Sequence, residues 1–466
     1  MVEAANYNYD EREQLTQSSL QESITEFKMP STETLIKNAY YATGGFEDGT
    51  YLVKHRRELE DNYKRRKNLA YYYNFFAAIV DALVDPVFKK TASRDWSGGG
   101  SNFVKLFLED VDCKGSNMQS FAQQYARASK LYGICYIVVD NFDSVPAMVS
   151  DMLAERKMPY AYIVEPSAVQ NVKFDRFGNV LEFAFVEKDG DKDRTLRFDA
   201  EGFEIQTESG TVTGLHSLKR APVIAVRSRI TSDKKPPSEF NALVRIALNM
   251  YNMCSYLTEI LGGQAFNILT YPSLQAQDLA IGVNNALGYD GENSSHAPEF
   301  IAPDSAPANT LIEDIKLMSQ EMYRLSNLSF MTGSRVEASG ESKKWDFERT
   351  NQALGSLART CESTERQIVK LFCLWLNIDC NYKVSYPNEL GIVDTKVEIE
   401  IAQMVIDLGL SLDLKIEVLK KILNVYLPEL QPDIFDELIK AAQKELIAAK
   451  EDTTYKDVNG NEPPAE

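Results

Sequence analysis

Two long helical patterns dominate the middle of the sequence, and a stretch rich in Pro, Asn and Gly separates them. From Ser238 to Leu261, apolar residues recur every three or four positions, which is the spacing of one helix face. At 1.5 Å per residue, a helix of this extent is about 36 Å long. A second such pattern runs from Asn309 to Asn327, and strand-like pieces lie between the two at Phe266 to Tyr271 and Glu299 to Ile301. The pattern predicts two helical rods flanking one compact insertion.

The segment before the rods predicts helices followed by a sheet-rich unit. Tyr51 to Phe88 is interpreted as one long helix that stops at Pro86, and Met118 to Tyr132 as another helix. Short β-branched and aromatic runs then alternate with turn signals such as Phe177-Gly178-Asn179, which is typical of antiparallel strands. The predicted strands are Ile134 to Val139, Tyr160 to Val164, Val180 to Val186, Thr195 to Phe198, Phe203 to Gln206 and Pro222 to Val226.

The segment after the rods predicts a loop, a very long helix and a helical end. Ser329 to Lys344 has Gly, Ser and charge without an apolar period, which favours a loop. The next helix places apolar residues seven apart, and a strand-like stretch from Tyr382 to Tyr386 follows it. Capping patterns at Thr395 and Ser411 then predict further helices. The apolar residues seven apart are Phe347, Leu354, Cys361, Ile368 and Trp375.

Sequence patterns for catalysis, cofactor binding and metal binding are missing. His55, His216 and His296 lie in three different segments without metal-ligand spacing, and no phosphate-binding glycine loop or nucleophile elbow occurs. The six cysteines form no C-x-x-C pair, which argues against a zinc ribbon and a disulfide framework. We therefore expect no catalytic residue, no metal site and no cofactor.

The chain is strongly acidic, with a formal net charge of −18 at pH 7. This excludes condensation on nucleic acid through overall charge, so any contact with DNA must be local or weak. The N-terminus lacks the apolar core of a signal peptide, and no apolar window approaches the roughly 20 residues of a membrane span. We expect a soluble protein with no membrane partner.

Two basic clusters can each be interpreted either as a nucleic-acid-binding face or as an ordinary protein surface. The first, from Lys54 to Lys67, is interrupted by Glu58, Glu60 and Asp61, which favours a mixed-charge outer face or a subunit interface. Its neighbours Tyr71, Tyr72, Phe75 and Phe76 are predicted to lie in the core. The second cluster lies in or beside the predicted loop, where transient contact with a phosphate backbone is equally plausible, and consists of Arg335, Lys343 and Lys344.

The order of these elements and several local phrases resemble the portal proteins of tailed bacteriophages. YLVKHRRELEDNYKRRKNLAYYYNFFAAIVDALVDPVFKK is similar to the N-terminal segment of one portal-like family. PPSEFNALVRIALNMYNMCSYLTEIL followed by APEFIAPDSAPANTLIEDIKLMSQEMYRLSNLS is similar to the stretch in which such proteins carry a helix, an insertion and a second helix. The resemblance covers most of residues 30 to 450.

The resemblance implies an α+β fold that is mainly helical, with an α+β wing, a helical stem, a small α/β clip and an all-helical crown. It also implies a division of the chain by function, with flexible segments at both ends. The implied parts are an N-terminal arm 1–29, a wing 30–236, a stem helix 237–261, a clip 262–308, a second stem helix 309–328, a tunnel loop 329–345, a long helix returning through the wing 346–394, a crown 395–450 and a tail 451–466.

The resemblance further implies a ring, usually of twelve subunits, at one capsid vertex of the virion. Such rings nucleate head assembly, dock the terminase and conduct double-stranded DNA during packaging and ejection. The implied partners are other copies of the chain, DNA, the terminase large subunit, a head-completion or tail adaptor protein, and the major capsid and scaffolding proteins. The chain would be made in the cytoplasm of a bacterial host, and Arg335, Lys343 and Lys344 would face the DNA from the tunnel loop.

Two alternatives stay open at this level. One is another virion structural protein, such as a minor head or adaptor component. The other is a hydrolase that uses a pair of carboxylates in the sheet-rich region, which would require two carboxylates in one concave pocket.

Overall fold

The computed structural model shows an α+β protein whose chain divides into two compact units, residues 1–389 and 390–466. The structure describes residues 29–98, 101–142, 152, 155–190, 192–229, 231–265, 268–272, 286–289, 299–301, 304–328, 340–379, 381–387, 404, 412–426, 434–435 and 437–444.

Ten helices have defined bounds in the described residues. In chain order they are α1 Thr32–Tyr41, α2 Glu60–Leu69, α3 Phe75–Ala82, α4 Asp85–Phe88, α5 Ser101–Glu109, α6 Met118–Tyr132, α7 Asn241–Gln264, α8 Ala306–Leu325, α9 Gly340–Leu376 and α10 Leu412–Tyr426.

Thirteen strands accompany these helices in the same described part of the chain. They are β1 Ser93–Ser97, β2 Ile134–Asp140, β3 Tyr160–Val164, β4 Val169–Phe174, β5 Val180–Asp189, β6 Lys192–Phe198, β7 Gly202–Thr207, β8 Gly210–Leu215, β9 Val223–Arg227, β10 Ile268–Pro272, β11 Ala286–Tyr289, β12 Glu299–Ile301 and β13 Asn381–Ser385.

The first core joins the N-terminal helices to α7 and α8. Phe76 and Ile79 of α3 pack with Val244 and Tyr251 of α7, and all four side chains are buried. Met322 contributes from α8 and is also fully buried. This core therefore fixes the N-terminal half of α7 against the body of the protein.

The second core lies between two antiparallel sheets. One sheet has the order β3-β2-β9, and the other is a meander in the order β4-β5-β6-β7-β8. Tyr136 of β2 contacts Phe183 of β5 at a ring distance of 4.8 Å, and Phe198 of β6 lies in the same cluster. The inward-facing aromatic residues of short strands thus form this core, as their alternation predicts.

A buried ion cluster joins α9 to a two-stranded sheet formed by β1 and β13. Arg94 of β1 donates from Nε and Nη2 to the two oxygens of Glu365, at 2.7 and 3.1 Å. The hydroxyls of Tyr382 and Tyr386 also donate to Glu365, whose side chain is fully buried. Burial opposes the charge on Arg94, but the hydrogen bond and charge of Glu365 outweigh it and hold the pKa of Arg94 above its ordinary value.

The predicted strands of the sheet-rich unit are confirmed, with ends that differ by at most three residues. The strands β1, β4, β8 and β11 were not predicted. β1 has the sequence SRDWS, which has too little apolar character to indicate a strand, and its partner β13 follows it by almost 300 residues. Non-local pairing of this kind leaves no local sequence signal.

The prediction of one long helix from Tyr51 to Phe88 is wrong. The segment forms three helices, α2, α3 and α4, and Ala70 is already extended. The Asn74 side chain accepts a hydrogen bond from the backbone N–H of Ala77 and so starts α3 anew. The apolar period of the second half belongs to α3 alone.

The C-terminal unit contains α10, and every described residue between 395 and 450 is helical. The helix predicted to begin at Thr395 lies outside the described residues, apart from the helical Met404. No helix in the described part of the chain is both long enough and apolar enough to cross a bilayer.

We predict that Glu365→Ala destabilises the protein by about 3–5 kcal/mol, because it leaves the buried Arg94 guanidinium without its counter-ion. The measurement is urea unfolding monitored by fluorescence. The matched control is Glu208→Ala, which removes an exposed partner of Lys192 and should change stability by less than about 0.5 kcal/mol. Equal effects of the two substitutions would show that the buried cluster is not a structural anchor.

Candidate functional site: the helix pair and its insertion

The helix α7 extends three residues further than the sequence predicted. The predicted end at Gly262-Gly263 is wrong, because the helix continues through both glycines to Gln264. Glycine costs about 1 kcal/mol in a helix but does not forbid it. The extension is held by Gln264, whose Nε2 donates to the backbone oxygen of Asp304 at 2.6 Å. This bond ties the end of α7 to the segment that begins α8.

The helix α8 begins at Ala306, three residues before the predicted Asn309. Pro307 falls within the expected clip 262–308, but proline is well tolerated in the first turn of a helix. The Asp304 carboxylate accepts a hydrogen bond from the backbone N–H of Ala306. The start of α8 is therefore supported by a hydrogen bond to Asp304, two residues before the first helical residue.

The two helices run antiparallel and pack side by side. Met322, near the end of α8, is buried in the core with the N-terminal half of α7, whereas the bond from Gln264 joins the opposite ends. One turn from Met322, Met318 Sδ accepts a hydrogen bond from Asn249 Nδ2 at 3.5 Å. The confirmed helical periods thus produce a hairpin of two rods.

A small sheet lies in the connection between these rods. Its described strands have the order β11-β10-β12, with β10 parallel to β11 and antiparallel to β12. The Thr270 hydroxyl donates to the backbone oxygen of Glu299 at 2.9 Å. The strand-like pieces predicted in the insertion are therefore confirmed as β10 and β12.

Large apolar side chains are exposed along the helix pair. In α7, buried residues continue to Leu257, whereas Leu261 is 46% exposed. In α8, only Ala308 and Met322 are buried, and Leu317 and Leu325 are 55% and 45% exposed. The pair thus carries large apolar side chains on a surface that the described residues leave uncovered.

The middle of α7 is anchored by polar groups from the N-terminal segment. Arg66 is 2% exposed and donates to both Glu58 oxygens, to Ser255 Oγ and to the backbone oxygen of Val53, each at 2.8 Å. Asn252 of α7 accepts from the backbone N–H of Val53 at 2.8 Å. Burial lowers the pKa of Arg66, but the bond to Glu58 outweighs this effect and leaves that pKa above its ordinary value.

The basic cluster of residues 54–67 is largely paired with acids. Lys54 pairs with Glu60, Lys64 lies 3.9 Å from Asp61, and Arg65 contacts Glu259. These pairs favour the mixed-charge interpretation over a nucleic-acid face. Of the aromatic residues expected in the core, Phe76 is buried and Tyr72 and Phe75 pack against it, but Tyr71 is 40% exposed.

The three predicted tunnel residues fall in different places. Arg335 lies outside the described residues, whereas Lys343 and Lys344 lie in α9. The predicted loop 329–345 is therefore wrong for its last six residues, because α9 begins at Gly340. Glu and Lys are strong helix formers, so the helix needs no apolar period there.

A cavity of about 390 Å³ between the two sheets tests the carboxylate-pair alternative. Asp112, Asp140 and Glu187 line it together with Arg194. The Glu187 carboxylate accepts two hydrogen bonds from Arg194, at 2.7 and 3.0 Å. Hydrogen bonds from Ser116 and Lys114 outweigh burial and hold the pKa of Asp112 below its ordinary value. A hydrolytic carboxylate pair requires an acid with a raised pKa, and the hydrogen bonds to Asp112 act in the opposite direction.

The histidines and cysteines add no metal site within the described residues. No group of three or more His, Cys, Asp or Glu side chains there could hold a metal ion. The ring of His216 lies against that of Trp375, and burial lowers the pKa of His216. The five described cysteines are free thiols.

Comparison with known proteins finds similar solved structures but no similar sequence. No protein-family model and no curated protein matches the sequence. The fold is similar to the neck of an empty gene transfer agent particle computed with C6 symmetry, at 10% identity and a TM-score of 0.42, covering 73% of this chain and 88% of the other. It is also similar to a chain in the virion of a native gene transfer agent particle, at 8% identity and a TM-score of 0.42, covering 82% and 89%.

A third similar structure is an HK97 family phage portal protein from Corynebacterium diphtheriae. It is 12% identical with a TM-score of 0.33, covering 66% of this chain and 90% of the other. Likenesses at these identities and TM-scores do not assign a function to the chain.

We predict that Met322→Ala destabilises the protein by about 2–5 kcal/mol, because it leaves a cavity where α8 meets α7. The measurement is urea unfolding at a protein concentration too low for association. Leu317→Ala, on the exposed side of the same helix, should change stability by no more than about 0.5 kcal/mol. A small effect of Met322→Ala would mean that α8 is not packed on the body of the protein.

Proposed function

We propose that this chain is the subunit of a portal ring of a tailed bacteriophage or a related particle. The observation that carries the proposal is the order of four elements: α7, the small sheet of β10 to β12, the antiparallel α8, and then the 37-residue helix α9. This is the order on which the sequence resemblance to portal proteins rests. The alternative of a minor head or adaptor protein does not share it.

The helix pair supports association into a ring. The pair is fixed by the first core and by Arg66, whereas Leu261, Leu317 and Leu325 are exposed on its surface. Identical subunits arranged around an axis would cover these side chains with the equivalent helices of their neighbours. In this arrangement α7 and α8 are the stem helices and the small sheet between them is the clip.

The charge of the chain suits a channel that conducts DNA without holding it. A ring of subunits that each carry −18 repels the DNA backbone over most of its surface. We propose that Arg335, Lys343 and Lys344 supply weak, screened contacts with phosphates in the channel. DNA then slides past a few cations in an otherwise acidic bore.

The remaining partners follow from the position of each part in such a ring. We propose that the clip meets the terminase large subunit during packaging and an adaptor protein afterwards. The wing and the crown contact the capsid and scaffolding proteins at one vertex of the virion. Hydrolysis of ATP belongs to the terminase, so this chain acts without chemistry of its own.

We predict that the purified chain forms particles of about twelve times its 52.5 kDa mass, or of a neighbouring ring number. Mass photometry across a range of concentrations measures this directly. The control is Leu317→Lys with Leu325→Lys, which places charges on the uncovered helix face and should shift the particles toward monomers. A wild-type chain that stays monomeric at high concentration would contradict the proposal.

We predict that the triple variant Arg335→Gln, Lys343→Gln and Lys344→Gln still forms rings but reduces DNA packaging or retention, because the cations of the channel are lost. Packaged DNA per particle is the measurement. The matched triple Lys89→Gln, Lys90→Gln and Lys188→Gln removes the same charge from exposed positions elsewhere. Equal packaging by the two triples would remove the proposed role of the channel cations.

A further inference from the structure

A groove of about 360 Å³ lies where the start of α1, the strand β4 and the linker of residues 234–238 before α7 come together. Ile36 of α1, Tyr136 of β2 and Pro236 of the linker provide apolar surface in this groove. Concave and largely apolar surfaces of this size are typical of binding sites. The groove is therefore a candidate docking surface.

A buried hydroxyl in this groove has no partner. Tyr132 of α6 contributes to the wall and is 6% exposed. Its hydroxyl forms no hydrogen bond within the part of the chain that the structure describes. Buried polar groups of native proteins are nearly always paired. An occupant that brings an oxygen acceptor to this hydroxyl would supply the missing partner.

The described chain begins beside the groove. Thr32 and Glu33, the first two residues of α1, form part of its wall, and Ser31 fixes this helix start by accepting a hydrogen bond from the backbone N–H of Thr34 at 3.2 Å. Residues 1–28 lie outside the described residues. A chain spans at most about 3.6 Å per residue, so Phe27 lies within about 18 Å of Thr32. The segment before Met29 is thus within reach of the groove.

The sequence of this segment suits an apolar groove. Residues 22–28 read ESITEFK, in which Ile24 and Phe27 are the apolar side chains nearest to the start of α1. Glu22 and Glu26 flank them, and residues 1–28 carry six acidic and two basic side chains. The segment therefore combines apolar groups with negative charge.

The linker side of the groove carries the complementary charge. Lys235 lines the groove, and Lys234 is its exposed neighbour. Arg227 donates to the backbone oxygen of Lys234 at 3.3 Å and to that of Gly178 at 3.0 Å, which places its guanidinium between the linker and the turn after β4. None of these three cations forms a salt bridge with an acid among the described residues. Opposite charges of this kind favour docking of an acidic segment.

We propose that residues 22–28 dock in the groove of their own subunit, with Ile24 and Phe27 against its apolar walls and Glu22 and Glu26 toward the cations of the linker. The same subunit supplies the segment because its chain already starts at the groove. A docked segment would hold the linker against β4 and so brace the connection that leads into α7. This inference is independent of the ring proposed above.

The test is disulfide formation in the full-length chain in a Cys113→Ser background, which removes the exposed native thiol. The test variant carries Thr25→Cys and Gln170→Cys, the second at an exposed position of β4 on the groove wall. Peptide mapping without reductant measures the rate of linking during mild oxidation, and a denaturing gel shows whether the link stays within one chain. We expect a linked product of monomer size.

Matched substitutions separate docking from random collision of a tethered segment. Adding Phe27→Ser should slow the linking by about tenfold or more, because an apolar anchor is lost, whereas adding Leu20→Ser, outside the proposed segment, should leave the rate unchanged. Lys235→Glu should also slow the linking, and Lys188→Glu, at an exposed position of β5, should not.

Three outcomes would overturn the docking. These are the absence of the link, equal rates with Phe27→Ser and Leu20→Ser, and a ladder of covalent oligomers, which would show that the segment enters the groove of a neighbour instead. Each outcome can be read for monomers and for rings alike. The particle mass of the wild-type chain tests the portal proposal separately.

Discussion

The packing of α7 against the N-terminal helices is the interaction on which the rest of the structure depends. Arg66 and Asn252 fix the middle of α7 through buried hydrogen bonds, and Tyr251 packs against Phe46 at a ring distance of 5.3 Å. A buried guanidinium requires all of its partners, so this part of α7 cannot shift without a large loss of stability. The helix α8 packs antiparallel against α7, and the insertion connects the end of α7 to the start of α8. Leu261, Leu317 and Leu325 remain exposed on the pair.

Much of the fold could be predicted from local sequence patterns. The helical period of α7 and α8 and the aromatic alternation of β2, β3 and β5 are strong signals because they reflect direct burial. The failures have physical causes. Asn74 starts a new helix inside an apolar period, and the start of α9 is helical although its sequence is polar. The pairing of β1 with β13 depends on Arg94 and Glu365, which meet only in the folded chain.

The sequence predicted the helix pair and its insertion but not the contacts that hold them in place. Two rods and an insertion follow from the sequence, but the hydrogen bond from Arg66 to Ser255 of α7 joins residues 189 positions apart, and no single sequence pattern marks it. The tunnel residues show the opposite case. Their charges are evident from the sequence, yet two of them lie in a helix where a loop was expected. The high helix propensity of Glu and Lys at the start of α9 was the signal that would have placed that helix start correctly.

The most direct measurement of the central claim is a single-particle reconstruction of the purified full-length chain. The account predicts an annular particle with an open axis, in which α7 and α8 of every subunit lie beside those of its neighbours and the small sheets of the insertions form one end. Closed particles without a channel, or rings in which the helix pairs lie on the outer surface away from their neighbours, would contradict it.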